Sequence, residues 1–424
     1  MTSTPNQRDT RSPDFVVFSD DWGEHPSSCQ HIFRHIAQDH RVLWVNTIGM
    51  RNPTFTLTDL RKIAKKCRKM LRIRRQHGER AEPVGHLSVC QPIMLPFSEL
   101  SLVRRFNRWS VSRRIRSAAS ALNFRDPIIV STVPNAAEYP EVLAGRRIIY
   151  YCVDDFSLWP GVDSTRVSDM ERRMVEQSSA IIAASGTLAE KFTEFGRHVA
   201  VLTHGVDLDH FRTRATSEHP ILKRIPEPRV GFFGLVDGRF DRNLIQALAA
   251  QMPDTNFVFA GPVDSTAGEL PVRENLHFIG ALAYTELPAF IVGIRALILP
   301  YKVDELGRML SPLKLKEYLA TCKPVVSSPI SAVYDWESFL LVAHAPNEWV
   351  EALRGIIEQK SVESVSKVHA QLAIESWKSK AESFLVICRN VKHGNSHYSD
   401  GEGDLAERNR GPDSVEELAR ENEH

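Results

Sequence analysis

The sequence predicts an α/β protein with two doubly wound parallel-sheet domains facing a cleft. Three observations predict it. Short apolar runs rich in Val, Ile and Phe alternate with helical patterns in two successive series, a proline-rich stretch divides the series, and 424 residues exceed one ordinary domain but fit two cores of about 200 residues.

In the first series, strands are expected at Phe15–Phe18, Val42–Val45, His86–Cys90, Ile128–Ser131, Ile148–Cys152, Ala180–Ala183 and Val199–Leu202. In the second they are expected at Val230–Phe233, Asn256–Phe259, Leu276–Ile279, Ala296–Leu299 and Pro324–Ser327. The first domain is placed at 14–212. A linker follows at 213–228, where Pro220, Pro226 and Pro228 cluster, and the second domain occupies 229–372. A helix at 373–391, carrying Trp377, Phe384, Leu385 and Ile387, is expected to pack back toward the first domain. Residues 392–424 are polar and acidic, with too little apolar surface to fold, and read as a disordered tail.

Composition narrows the class. With 42% hydrophobic and 25% charged residues the chain reads as a globular protein. No apolar run approaches the ~20 residues that cross a bilayer, and the first residues lack the apolar core of a secretory signal. A cytoplasmic location is expected, peripheral to the inner face of the plasma membrane if the basic helices described next bind lipid. The six cysteines form no Cys-x-x-Cys or Cys/His cluster, so neither a disulfide framework nor a zinc site is indicated.

The formal net charge of +1 hides an asymmetry: residues 1–210 carry +6 and 211–424 carry −5. Ten basic residues face one acid between Arg61 and Arg80, on a helical pattern over 57–80. A second basic helix is expected over 100–122, with Phe106, Trp109 and Ile115 among six arginines. Two readings stay open for both: an anionic membrane surface as partner, or apolar stripes facing the core with the charges solvated. Nucleic acid is not expected as a partner, because no recognition motif or stacking platform accompanies the charge.

The candidate donor site lies in the second domain. A glycine-bearing turn follows strand Val230–Phe233 in GFFGLVDGRFDR, where Gly234 lets the backbone approach a phosphate and Arg239 and Arg242 supply charge. Farther on, SPLKLKEYLA places Ser311 as an N-cap, Pro312 at the first helical position, Lys314 in the first turn and Glu317 one turn later. A cation at the positive end of a helix costs roughly 0.3 to 1 kcal/mol unless an anion joins it, and a diphosphate would join both Lys314 and the exposed N–H groups. Glu317 is at the reach of ribose hydroxyls. The alternative is an internal Lys314–Glu317 pair on a solvated face.

In the first domain, Asp154 and Asp155 end a strand facing the cleft, where a carboxylate could take a proton from a sugar hydroxyl. The alternative has Asp155 or Ser157 capping the next turn and Asp154 orienting a loop. Two adjacent carboxylates alone do not make a metal site, and no protein-held metal is expected. His25, Ser27 and Gln30, between the first strand and first helix, are acceptor-side candidates. His204, beside a Gly205 read as a turn glycine, is a cleft candidate.

Taken in order, VDD, EQSSAIIAASGTLAEKF, HGVDLDHF, GFFGLVDGRFD, NLHFIGALAYTELPAFI and SPLKLKEYLATCKPVV resemble the GT-B glycosyltransferases of bacterial surface and exopolysaccharide synthesis. The chain is similar to teichuronic-acid-type transferases and, more distantly, to the xanthan-type glucuronosyltransferase. The resemblance spans roughly residues 14–390. It implies two Rossmann-like domains, a UDP- or GDP-linked sugar held by the second, a saccharide or lipid-linked saccharide acceptor on the first, and transfer with neither metal nor cofactor. It makes Glu317 the ribose carboxylate, Lys314 the diphosphate partner and Asp154 the base. Many retaining relatives carry a Glu eight positions before the ribose Glu; here Met309 stands there, with Glu305 or Asp304 as substitutes. Cys322 stands where relatives commonly have glycine. Two other classes fit the same architecture: a nucleotide-sugar epimerase, or a catalytically degenerate nucleotide-binding scaffold subunit.

Overall fold

Runs of four or five apolar residues, too short for helices and rich in β-branched side chains, become buried parallel strands. The computed structural model describes residues 13–23, 27–46, 84–95, 100–159, 162–196, 199–212, 215–304, 307, 312–358 and 365–391. The expected basic helix at 57–80, His25, Glu305, Met309, Ser311 and the tail at 392–424 lie outside them.

The first sheet has seven strands, β1 Phe15–Ser19, β2 Val42–Asn46, β3 Leu87–Cys90, β4 Ile128–Ser131, β5 Ile148–Cys152, β6 Ala180–Ala183 and β7 Val199–Val201, in the order β3-β2-β1-β4-β5-β6-β7. Every pairing is parallel, with Phe15 opposite both Val42 and Ile128. The second sheet is β8 Arg229–Phe233, β9 Asn256–Ala260, β10 Leu276–Gly280, β11 Ala296–Leu299, β12 Val325–Ser327 and β13 Leu341–Val342, in the order β10-β9-β8-β11-β12-β13, again parallel throughout. Strand β13 was not expected; two residues are too few to show a pattern. In each sheet the strand order reverses direction once, between β1 and β4 and between β8 and β11, which opens a crevice at the carboxyl ends of those strands.

The longer helices are α1 Ser28–Ile36, α2 Ser101–Ala121, α3 Ser164–Gln177, α4 Arg242–Gln251, α5 Leu313–Ala320, α6 Pro346–Glu358, α7 Val365–Ala373 and α8 Trp377–Asn390. Helix α2 departs from its expected stripe. Val111 and Ile115 face the core, but Phe106 and Trp109 point outward. The helix expected from Ala373 starts four residues later, at Trp377, after a separate helix that ends at Ala373. The chain leaves α7, Ser376 caps α8 by accepting from Ser379 N at 3.2 Å, and Val206 N donates to Glu375 O at 2.9 Å. Trp377, Phe384 and Cys388 of α8 then share one buried cluster with Phe15, Phe33 and Trp44 of the first domain. Gly205 is needed for this return rather than for a turn: a Cβ there would lie 2.6 Å from the Trp377 ring.

Candidate functional site

Three chain segments meet at the reversal point of the second sheet. After β8 the backbone turns at Gly234 with φ +130°, a value that favours glycine, and a Cβ there would lie 1.6 Å from Lys314 Cε. After β11, Tyr301 is buried, and its hydroxyl receives Lys314 Nζ at 3.1 Å. Lys314 itself comes from the first turn of α5. Its ammonium lies over the rings of Phe232 and Tyr301, 5.3 and 5.8 Å from their centroids. The helix starts one residue later than expected: Pro312, in extended conformation, is the N-cap and Leu313 the first helical residue. Lys314 stays in the first turn under either boundary, beside N–H groups without intrahelical partners.

Arg239 joins this group and Arg242 does not. The Arg239 guanidinium is held by Asp237, at 2.6 Å from Nη2 to Oδ2, and lies 5.9 Å from the Tyr301 ring centroid, so it flanks Tyr301 together with Lys314. Arg242, although it opens α4, donates from Nη1 to Glu269 O at 2.7 Å, away from Lys314. Asp241 caps that helix by accepting from Asn243 N and Leu244 N. Asp304, the alternative to Glu305, accepts from Gly307 N at 2.8 Å within its own loop.

One turn beyond Lys314, the Glu317 carboxyl is part-buried beside Lys314, Asp207 and Tyr284. Burial pushes it up to about 7, Lys314 pulling it down and Asp207 pushing it up further. Tyr284 stacks on His210 at 3.9 Å between centroids, next to the carboxylates of Glu317 and Asp207. Because the folded carboxyl binds its proton more tightly than the ordinary value of 4.5, its contribution to stability is full below pH 4.5 and is lost as pH rises through about 7. In the unliganded protein, Glu317→Gln is therefore expected to flatten the fall in urea midpoint between these pH values. An unchanged slope would refute the shift.

The two carboxylates after β5 divide their roles. Asp155 is buried and turned inward: it caps the following turn through Ser157 N at 3.1 Å and pairs with Lys191 at 2.8 Å, and Lys191 in turn pairs with Glu171 at 2.6 Å. This corrects its candidacy as a catalytic group, since its carboxylate is committed to an internal ion cluster. Asp154 receives Trp159 Nε1 at 3.0 Å and Asp155 N at 2.9 Å. Burial raises its proton affinity, while the positive charge of Arg239, across the cleft in the second domain, lowers it.

The acceptor-side candidates are tied into the loop after β1. Ser27 caps α1 through Gln30 N and donates to Asp20 at 2.9 Å, and Gln30 bonds Asp20 while receiving Gly23 N at 3.0 Å. His204, 8% exposed, meets Ser28 Oγ at 2.5 Å through Nδ1. Its carbonyl accepts from Lys316 Nζ at 2.6 Å. Lys316, on α5 beside the donor candidates, also bonds Thr203 Oγ1 at 3.0 Å and Glu375. Lys380 completes the node with 2.8 Å to Glu375 and 2.9 Å to Thr203 Oγ1. Burial lowers Lys316 to about 8, against the pull of Glu375. The node fastens α5 to the segment after β7 and the start of α8. Sequence reasoning missed it, and missed Tyr301 as well. The position of Tyr301, two residues past the fourth strand of the second series, was the available signal.

Among the described residues, no three His, Cys, Asp or Glu side chains come together to hold a metal ion, and no helix is long and apolar enough to cross a membrane.

The chain is similar to several known proteins. Residues 228–359 match the family model described as Glycosyl transferases group 1. A Bacillus subtilis (strain 168) protein provisionally named a teichuronic acid biosynthesis glycosyltransferase is 25% identical over 267 residues, covering 57% of this chain and 66% of that protein. The match thus spans slightly under two thirds of the relative. Among solved structures, sucrose-phosphate synthase from Thermosynechococcus elongatus superposes with a TM-score of 0.65 at 13% identity, covering 89% of this chain and 98% of that one. HepE of Anabaena in complex with UDP-glucose gives 0.60 at 15%, covering 89% and 99%. The E. coli trehalose-6-phosphate structure bound with UDP-2-fluoro glucose gives 0.63 at 12%, covering 90% and 100%. These likenesses establish the fold as GT-B, two Rossmann-like parallel-sheet domains.

Proposed function

We propose, from the match of residues 228–359 to the family model described as Glycosyl transferases group 1, that the protein moves a sugar from a nucleoside-diphosphate donor to a saccharide or lipid-linked saccharide acceptor in bacterial surface-polysaccharide synthesis. The observation that carries this reading is the convergence of Gly234, Lys314 and Tyr301 at the reversal point of the second sheet, with Glu317 one turn away. The bare glycine makes room for the Lys314 side chain, which brings its ammonium to the turn as the charge for a pyrophosphate. Glu317 accepts hydrogen bonds from ribose hydroxyls. The family description and the curated relative favour transfer over the epimerase and scaffold alternatives.

In this mechanism the leaving diphosphate gathers negative charge, and Lys314, the free N–H groups at the start of α5 and the nearby Arg239 neutralise it without a metal ion. Following the xanthan-type resemblance, Asp154 takes the proton of the acceptor hydroxyl. Burial raises its proton affinity, which strengthens it as a base. A lipid-linked acceptor would bring the protein to a bilayer surface. The test is a thermal-shift screen with UDP-glucose and GDP-mannose. A donor at one hundred times its Kd adds about 2.7 kcal/mol of stability. Lys314→Ala is expected to remove most of that shift; a full shift in this variant would overturn the donor site.

A further inference from the structure

The face of α2 turned away from the sheet is apolar, aromatic and cationic at once. Leu102, Arg105, Phe106, Trp109, Arg113 and Arg116 follow one another at spacings of one to four residues along one side of the helix. Leu102 is 76% exposed, Trp109 59% and Phe106 37%, whereas Asn107, Val111, Ser112 and Ile115 on the other side are buried. The Phe106 and Trp109 rings lie 6.0 Å apart, with the Arg113 guanidinium 6.0 Å from the Trp109 centroid. The preceding loop widens the patch. Ile93, 53% exposed, is pinned beside α2 by Ser110 Oγ donating to its carbonyl at 2.7 Å. Leu95 is held in both directions by Asn107. Helix α2 carries six arginines and no acid. Arg108 pairs with Glu141, Arg114 bonds Cys90, and Arg116 donates from Nε to Ser112 O at 3.2 Å.

We infer that this face docks the protein on an anionic bilayer, with Leu102, Phe106 and Trp109 entering the headgroup boundary and Arg105, Arg113 and Arg116 meeting lipid phosphates. Charge selects the partner. A helix without a single carboxylate is complementary to an anionic surface, and aromatic and leucine side chains add the apolar burial that makes such binding persist. Topology gives the docking its use. Helix α2 is the crossover between the parallel strands β3 and β4, so its first turns lie at the carboxyl end of the sheet, the end that carries Asp154. Docking on this face lays the side of the helix along the lipid and keeps that end of the sheet near the bilayer surface. Delivery of a lipid-linked acceptor rests on the proposed transfer reaction; the docking does not.

The test is flotation of the full chain with vesicles of phosphatidylcholine alone and of phosphatidylcholine mixed with phosphatidylglycerol. Binding is expected only to the mixed vesicles and to weaken with salt. The pair Arg105→Ser with Arg113→Ser should lower the partition roughly thirtyfold. Leu102→Ser with Trp109→Ser should lower it comparably, and both pairs should melt like the parent because the exchanged side chains are exposed. Undiminished flotation of either pair would overturn the inference. So would a parent that is oligomeric on gel filtration and that Trp109→Ser converts to monomer without loss of vesicle binding, which would make the face an interface between copies. If the variants lose flotation while no nucleotide sugar shifts the parent's melting, the docking stands and the transfer reading falls.

Discussion

Gly234→Ala is expected to abolish donor binding and to lower the stability of the fold as well. The new methyl would occupy the place of the Lys314 side chain, 1.6 Å from Cε, and the backbone at φ +130° does not suit an L side chain. Strain of this kind costs about 1 to 3 kcal/mol, before any cost of displacing Lys314. The side chain can move only by leaving Tyr301 and the rings below it. Melting with and without UDP-glucose or GDP-mannose separates the two effects: Lys314→Ala should lose the donor shift with little change in the unliganded protein, whereas Gly234→Ala should lose both. A Gly234→Ala protein that binds donor normally would mean that this turn is not where the diphosphate sits.

Asp154→Asn is expected to keep donor binding and to lose turnover by about two to four orders of magnitude, the range attributed to a positioned general base. The amide is nearly the same size but has one acceptor oxygen where the carboxylate uses two, Oδ1 for Asp155 N and Oδ2 for Trp159 Nε1, so it keeps one of these contacts while proton abstraction is lost. Asp155→Asn makes the contrast. It breaks a buried pair with Lys191 and should cost roughly 3 kcal/mol of stability with no specific defect in the chemistry. Turnover by Asp154→Asn at the parent's rate would remove Asp154 from the reaction.

The sequence carried the architecture because parallel strands covered on both faces are continuous apolar runs. Twelve of the thirteen strands were found within a residue at each end, and Ile128–Ser131, Ile148–Cys152, Ala180–Ala183 and Ala296–Leu299 agree at both. Gly234 and Lys314 were legible as partners because both follow carboxyl ends of strands in one sheet, where such segments converge. Side-chain direction was not legible. Arg239 and Arg242 are three residues apart, yet one flanks Tyr301 and the other reaches Glu269 O. The inward turn of Asp155 depends on Lys191, 36 positions later, and no spacing rule reports such a pair. The Lys316 node joins three distant stretches of chain for the same reason. On α2 the apolar periodicity was real but had two stripes, one of them facing outward.

The proposed function stands on a nucleoside diphosphate held between the Gly234 turn and the first turn of α5. In a crystal structure of the protein with UDP or GDP, phosphate oxygens are expected within hydrogen-bond distance of Lys314 Nζ and of the first N–H groups of α5, with ribose hydroxyls on Glu317. A nucleotide seated elsewhere, with Lys314 still on Tyr301 and Glu317 untouched, would rule out this donor site.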